Sequence, residues 1–146
     1  MTPEQLEISL NLINQKVQFS AGSRQQPAIT IDYKPPIGDG QGYMPLELLL
    51  MSLASCSGST IITLLRKMKK SVSSFEVRAQ GVRRGQHPTA FEKIFLHFTL
   101  NSADAQDRDM MDAIRLSEES YCPVWAMLKN NVEVIPEYQI SPIFSD

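Results

Sequence analysis

The sequence has few of the residues that build metal, nucleotide or nucleic-acid sites. Its 146 residues include two cysteines and two histidines, without the C-x₂-C or H-x₃₋₅-H spacing of zinc sites. The seven glycines form neither a P-loop nor a dinucleotide-binding pattern. A formal net charge of −2 disfavours nucleic acid as a partner, because a phosphate binder needs a basic face. We therefore expect no metal, no cofactor and no nucleic-acid partner.

Long apolar runs and targeting signals are also missing. No run of 18 or more apolar residues occurs, so we expect no membrane span. The first five residues lack the basic-then-apolar layout of a signal peptide. Repeats and low-complexity tracts are absent, and the length fits one domain over residues 1–146. These features predict a single domain in the cytoplasm.

The two cysteines, Cys56 and Cys122, are 66 positions apart. In a reducing cytoplasm a permanent disulfide is disfavoured, and a transient one is usually catalytic or redox-sensing. The other interpretation is that both are buried thiols that act as small hydrophobic side chains. Composition alone does not decide between the two.

Apolar residues with a period of two alternate with helical patterns along the chain. Strands are predicted in the segments 6–12, 17–19, 28–33, 74–83, 90–100 and 132–140. Helices are predicted from Pro45 to about Lys70, from Ser102 to Glu119 and from Val124 to Lys129. Proline and glycine place a loop over 34–42, and a hairpin turn is expected over 84–89. This order predicts an α+β fold with an antiparallel sheet packed on helices.

The first half of the long helix is apolar almost all round, through residues 46–54. Such a helix is expected to be buried on every side. A single domain of this size cannot easily provide that cover, whereas an obligate dimer has a core-like interface. We therefore predict a homodimer.

The positions of the two cysteines favour opposite conclusions about their reactivity. Cys122 lies directly before Pro123, at the predicted N-cap of a short helix, where free N–H groups and the helix dipole lower a thiol pKa. Cys56 lies in the middle of the long helix, among small residues that also suit a close crossing of two elements. A thiol there needs a nearby cation to form a thiolate. On local grounds Cys122 is the more acidic thiol.

Two charged residues are further candidates for the site. Glu47 is the third residue of the long helix, where a carboxylate can cap the helix and interact favourably with its dipole. Arg24 lies in an early Gly-Ser-Arg loop. It is either a cation that activates a thiolate or an ordinary surface arginine.

Two segments together resemble the OsmC/Ohr family. Residues 45–56, Pro-Leu-Glu-Leu-Leu-Leu-Met-Ser-Leu-Ala-Ser-Cys, resemble its P-x-E-L-L-L-x-x-L-x-x-C helix, and Tyr121-Cys122-Pro123-Val124 resembles its second-cysteine segment. The glycine-rich loop and the order of strands agree as well. The resemblance covers roughly residues 17–140.

The resemblance implies an OsmC-like fold: antiparallel sheets packed around two central helices in an intertwined homodimer. It implies a peroxidase that reduces organic hydroperoxides or hydrogen peroxide in oxidative stress defence. Cys56 would attack the peroxide, and Cys122 would resolve the product as a disulfide. A dithiol reductant, lipoyl-type or thioredoxin-like, would reopen that disulfide. The resemblance thus assigns the attacking role to Cys56, against the local argument for Cys122, and we follow the resemblance.

One position separates this chain from typical organic hydroperoxide resistance proteins. Those members carry, directly after the proline, the carboxylate that orients the activating arginine, and that position here is Leu46. Glu47 comes one step later, as in a broader OsmC-like branch. Arg24 resembles the arginine of the family's Gly-Gly-Arg loop. The alternative function is therefore a redox-sensing or small apolar ligand-binding protein without catalytic turnover.

Overall fold

A computed structural model describes residues 2–142 of the chain. The strands are β1 (Ser9–Leu12), β2 (Phe19–Gly22), β3 (Ile29–Ile31), β4 (Ser74–Arg83), β5 (Phe91–Asn101) and β6 (Glu133–Ser141). The helices are α1 (Pro45–Lys67), α2 (Asp107–Leu116) and α3 (Pro123–Leu128), and a π-helical turn covers Ser117–Tyr121. The predicted α+β class is confirmed. The described residues form two compact units that divide between Leu49 and Leu50, and the single domain stays a prediction.

The first unit contains an antiparallel sheet in the order β1-β2-β3. The loop that follows β3 is organised by Asp32, whose side chain is fully buried. The Asp32 carboxylate accepts hydrogen bonds from the backbone N–H groups of Tyr33, Asp39 and Gln41, at 2.8, 3.1 and 3.1 Å. Burial raises the pKa of Asp32, but these hydrogen bonds outweigh it and the net shift is downward. An ionised side chain thus organises the loop up to α1.

The second unit contains a sheet in the order β4-β5-β6. The β4–β5 pair is the predicted antiparallel hairpin, but β5 and β6 pair in parallel, so the purely antiparallel prediction is wrong. The physical reason is the connection between β5 and β6, which contains α2 and α3. A helical crossover returns the chain to the starting end of the sheet and allows parallel pairing.

The core of the second unit lies between one face of this sheet and the helices. Alternate residues of β5 are fully buried: Ile94, Leu96, Phe98 and Leu100. The fully buried apolar side chains of α1 are Leu53, Ile61 and Leu65, which share one face of the helix. A Cβ placed on Gly58 would lie 3.1 Å from Val77 Cγ2, so α1 and β4 approach closely there. The small residues around Cys56 therefore allow, at least at Gly58, a close contact between the helix and the strand.

The prediction that the first half of α1 is buried on every side is wrong for the single chain. Leu50 is only partly buried, and 44% of Met51 is exposed. The reason is that the chain's own core covers one face of the helix. By length and composition α1 could also cross a membrane, but core helices of soluble proteins pass the same test. The absence of a membrane partner stays a prediction.

The predicted helix from Ser102 to Glu119 is shorter and less regular than expected. Helix α2 begins at Asp107, and the Asp109 carboxylate accepts the N–H of Gln106 at 2.9 Å, as in a capping box. After Leu116 the backbone widens into the π turn before α3 begins at Pro123. This turn separates α2 from α3 and determines where Cys122 is placed.

Candidate thiol site

Cys122 occupies the predicted N-cap of α3. Its backbone is extended (φ −86°, ψ 106°), because Pro123 disfavours a helical conformation in the preceding residue. The N–H of Cys122 donates to the Ser117 carbonyl at 2.9 Å. The Cys122 sulfur accepts the N–H of Trp125 at 3.4 Å, as an N-cap side chain does. Backbone contacts on both sides thus hold this buried thiol.

The local prediction that Cys122 has a lowered pKa is wrong, because burial outweighs the N–H groups at the helix end. Burial, which removes water from the thiolate, is the largest influence and raises the pKa. The N–H groups of Trp125 and Val124 lower it, whereas the neighbouring Cys56 thiol raises it further. The net result is a pKa of about 11, against 9.0 for an ordinary cysteine. Cys122 is therefore a protonated thiol at neutral pH.

Cys56 lies in the middle of α1, with a half-buried side chain. Its carbonyl accepts a hydrogen bond from Thr60 Oγ1 at 3.0 Å, a contact made by the helix with itself. Its thiol is close enough to Cys122 to raise the pKa of that residue. The fold thus brings together two free cysteines that are 66 positions apart in the sequence.

Glu47 makes the capping contact that its position predicts. Its Oε1 accepts the backbone N–H of Met44 at 2.8 Å, directly before Pro45 begins α1. This hydrogen bond accounts for Glu47 as a structural residue. A part in the thiol chemistry stays a prediction.

Arg24 lies in the turn after β2, in the left-handed region at φ 56°, and is exposed. Few residues other than glycine adopt this conformation, so the turn fixes the arginine in an unusual backbone position. Within residues 2–142, no ion pair joins Arg24 to Glu47. Its role as an activating cation also stays a prediction.

A shallow groove of about 270 Å³ lies in the second unit, against the middle of α1. It is lined by Ser59, Thr60, Thr63, Leu64, Lys67 and Tyr121. The Thr60 and Thr63 hydroxyls donate to carbonyls of their own helix, at 3.0 and 2.8 Å. The groove runs along α1 from one turn after Cys56, and Tyr121 directly precedes Cys122. The groove is therefore close in sequence to both cysteines, although neither of them lines it.

Sequence reasoning missed two residues of the site, Ser117 and Trp125. Both are fully buried, and both contact Cys122 through their backbone. In the described part of the chain, Ser117 Oγ and Trp125 Nε1 are the buried side-chain atoms without a hydrogen-bond partner. No residue pattern predicts a π turn, so the sequence contained no signal for Ser117. A single tryptophan three residues after Cys122 was the one available signal.

The chain belongs to the OsmC-like protein family, whose sequence profile matches residues 38–137. That range includes the α1 segment and both cysteines, so the resemblance stated from the sequence is confirmed. Protein YhfA of Escherichia coli strain K12 is 33% identical over 96 residues, which cover 66% of this chain and 72% of YhfA.

Solved structures share this fold over nearly the whole chain. The crystal structure of a hypothetical protein from Aquifex aeolicus VF5 has a TM-score of 0.86 at 27% identity, covering 97% of this chain and 100% of that one. The organic hydroperoxide resistance protein OsmC of Legionella pneumophila, described as a predicted redox protein, has a TM-score of 0.70 at 13% identity. That match covers 95% of this chain and 99% of the Legionella protein, and at this identity it shows the fold alone.

Proposed function

We propose that this protein is a thiol-dependent peroxidase in which Cys56 and Cys122 cycle between dithiol and disulfide. The observation that carries the proposal is the proximity of the two free cysteines, whose thiols interact although they lie in different elements. Membership in the OsmC-like family supports it, as does the description of the Legionella neighbour as a hydroperoxide resistance protein. Its role would be defence against peroxides.

The pKa of Cys122 supports the assignment of the two roles. A thiolate is the nucleophile in peroxide reduction, and Cys122, with a pKa of about 11, is protonated at neutral pH. Cys56 is half-buried and lies one turn from the groove, so a peroxide can approach it more easily than the buried Cys122. We assign Cys56 as the attacking residue and Cys122 as the resolving residue.

The proposed cycle has three steps. The Cys56 thiolate attacks the distal peroxide oxygen, the O–O bond breaks, and Cys56 becomes a sulfenic acid while the leaving alkoxide takes up a proton. Cys122 then attacks the Cys56 sulfur, a disulfide forms, and the hydroxyl leaves with the Cys122 proton as water. A lipoyl-type or thioredoxin-like dithiol reduces this disulfide with two electrons and two protons and is itself oxidised.

Three wider predictions belong to this proposal. A reducing cytoplasm would keep the two cysteines as thiols between turnovers. A homodimer would cover the exposed face of α1, where Met51 lies. Arg24 and Glu47 would act in the site as activating cation and orienting carboxylate.

A free-thiol count tests the proposal directly. Reduced protein is treated with one equivalent of cumene hydroperoxide, in parallel with hydrogen peroxide, and the linked peptides are identified by mass. We expect both thiols to disappear, with Cys56 joined to Cys122 in one chain. Two thiols that survive both peroxides would overturn the proposal.

Matched serine variants separate the two roles. Cys56→Ser should lose peroxide consumption, because Cys122 stays protonated at neutral pH. Cys122→Ser should consume one equivalent of peroxide and stop at a sulfenic acid, which a dimedone adduct on Cys56 would reveal. The reverse pattern, with turnover in Cys56→Ser, would assign the attack to Cys122.

The groove favours a second candidate, a small apolar ligand-binding protein without turnover. Its lining combines apolar surface from Leu64 and Tyr121 with one cation, Lys67. A ligand that binds only the folded state raises its stability, so decanoic acid should raise the melting temperature of the fully reduced protein. Such a rise together with unreactive thiols would favour this function over the peroxidase.

A further inference from the structure

Two buried polar groups around Cys122 have no part in the peroxidase chemistry described above. Ser117 precedes Cys122 and Trp125 follows it, and both side chains are fully buried. Within residues 2–142, Ser117 Oγ and Trp125 Nε1 make no hydrogen bond. Buried polar atoms are nearly always paired, because leaving one unpaired costs free energy. Two such atoms on either side of one thiol call for an explanation.

Other helical hydroxyls in the same unit find partners in the usual way. Those of Ser57, Thr60 and Thr63 each donate to the carbonyl four residues earlier, at 2.7 to 3.0 Å. Ser117 has helical backbone angles too (φ −60°, ψ −47°), yet its hydroxyl makes no such bond. Helical position alone therefore does not account for the unpaired hydroxyl.

The backbone of Ser117 sets the position of Cys122. The Cys122 N–H donates to the Ser117 carbonyl, five residues back, which closes the π turn at 2.9 Å. In an α-helix each N–H bonds the carbonyl four residues back, so this turn contains one extra residue. Such turns often occur at functional sites. Ser117 thus begins a turn that ends at the resolving thiol.

Closing a disulfide requires the two free sulfurs to approach to a bond length of about 2.05 Å. The Cys122 sulfur now accepts the Trp125 N–H at 3.4 Å, and this contact changes when the sulfur moves towards Cys56. Cys56 is fixed within the continuous helix α1, whereas Cys122 is extended and lies between two short helical segments. The π turn is therefore the element that can absorb the change.

We infer that Ser117 is a positioning residue for the thiol pair, and that its hydroxyl gains a hydrogen-bond partner when the π turn rearranges on closure of the disulfide. This inference rests on the proposed Cys56–Cys122 pair. It does not require peroxide as the oxidant. The hydroxyl would favour the disulfide state, because the free-energy cost of burying it without a partner applies only to the dithiol state.

The test is the redox equilibrium of the pair in glutathione buffers. The two thiols lose two electrons and two protons to one glutathione disulfide, which leaves as two glutathione thiols. Ser117→Ala removes a bond made only in the disulfide state. We expect the equilibrium constant for oxidation to fall about tenfold, which corresponds to a midpoint potential about 30 mV less negative.

Ser120→Ala is the matched control, because it removes an exposed hydroxyl from the same turn. Its potential should equal that of the unaltered protein. Ser117→Thr, which keeps the hydroxyl, should restore the potential. A Ser117→Ala potential equal to that of Ser120→Ala would overturn the inference.

A second measurement needs no variant. Hydrogen exchange of the backbone amides of residues 117–122 should differ between dithiol and disulfide, and the emission of the only tryptophan, Trp125, should change with it. Identical exchange in both states would overturn the inference, as would failure of glutathione disulfide to join Cys56 and Cys122. Disulfide formation without peroxide turnover would instead overturn only the proposed peroxidase function.

Discussion

At the scale of single residues, opposing influences act on the pKa of the Cys122 thiol. Its N-cap position provides two N–H groups that favour the thiolate, whereas burial and the adjacent Cys56 favour the thiol. Burial and Cys56 outweigh the two N–H groups, and the pKa rises to about 11. A thiol with this pKa is protonated at neutral pH, which agrees with the resolving role that we propose for Cys122. The same position without burial would suit an attacking thiol.

Removing Cys56 should lower the pKa of Cys122. In Cys56→Ser the neighbouring group no longer ionises, so one cause of the upward shift is lost and the pKa should fall below about 11. The measurement is the ultraviolet absorbance of the thiolate during a pH titration of the reduced variant. Cys122→Ser provides the separate signal of Cys56. An unchanged Cys122 pKa would show that Cys56 makes no contribution to the shift.

The same shift makes folding stability depend on pH. The folded protein keeps the Cys122 proton to a pKa of about 11, whereas the unfolded chain releases it near 9.0. This contribution is present below pH 9 and is lost as the pH rises towards 11. The free energy of unfolding should therefore fall more steeply over that range in the intact protein than in Cys122→Ser.

At the scale of elements, the β4–β5 hairpin contains a glycine that the packing requires. A Cβ on Gly81 would lie 2.6 Å from Cδ1 and Cζ of the Phe91 ring, which is buried in the core. Gly85, in the loop of the same hairpin, has no atom within 4 Å of such a Cβ. Because only Gly81 lies against a side chain, alanine substitutions at these two glycines form a matched comparison.

Gly81→Ala should destabilise the protein by about 1–3 kcal/mol, because the Phe91 ring must leave its position to accept a methyl group. Gly85→Ala should change the free energy of unfolding by less than about 0.5 kcal/mol. Urea denaturation of both variants measures the difference. Equal stabilities would show that the Phe91 ring moves aside without cost.

The sequence predicted elements well and their mutual arrangement less well. The period-two run over 74–83 became β4 with the same bounds, because apolar alternation is a local property. The direction of β6 relative to β5 is not local, and periodicity contains no information about it. The π turn at Ser117 and the approach of Cys122 to Cys56 also depend on tertiary packing. The resemblance to a family indicated the thiol pair, whereas local electrostatics suggested the wrong pKa.

At the scale of the whole molecule, the isolated chain leaves much apolar surface uncovered. In the first unit Leu6 is 83% exposed and Ile8 63%, and in the second unit Met51 is 44% exposed. Large exposed apolar patches are a common feature of protein–protein interfaces. We predict that a second copy of the chain buries this surface in a homodimer.

Light scattering after gel filtration should give about twice the chain mass of 16.4 kDa. Met51→Glu should shift the protein towards the monomer, because it places a charge on the uncovered face of α1. Gln80→Glu adds the same charge to an exposed position of β4 and should leave the mass unchanged. A monomeric mass for the unaltered protein would refute the predicted dimer.

The parallel pairing of β5 with β6 has a consequence for the newly made chain. At 5–20 residues per second, a ribosome makes Cys56 about 3–13 s before Cys122, and β6 is made later still. During that interval Cys56 is a thiol without its partner, and no disulfide to Cys122 can form. The β5–β6 pairing forms only after both cysteines have been made, because β6 follows Cys122 in the chain. The sheet of the second unit is therefore completed only when both thiols are present.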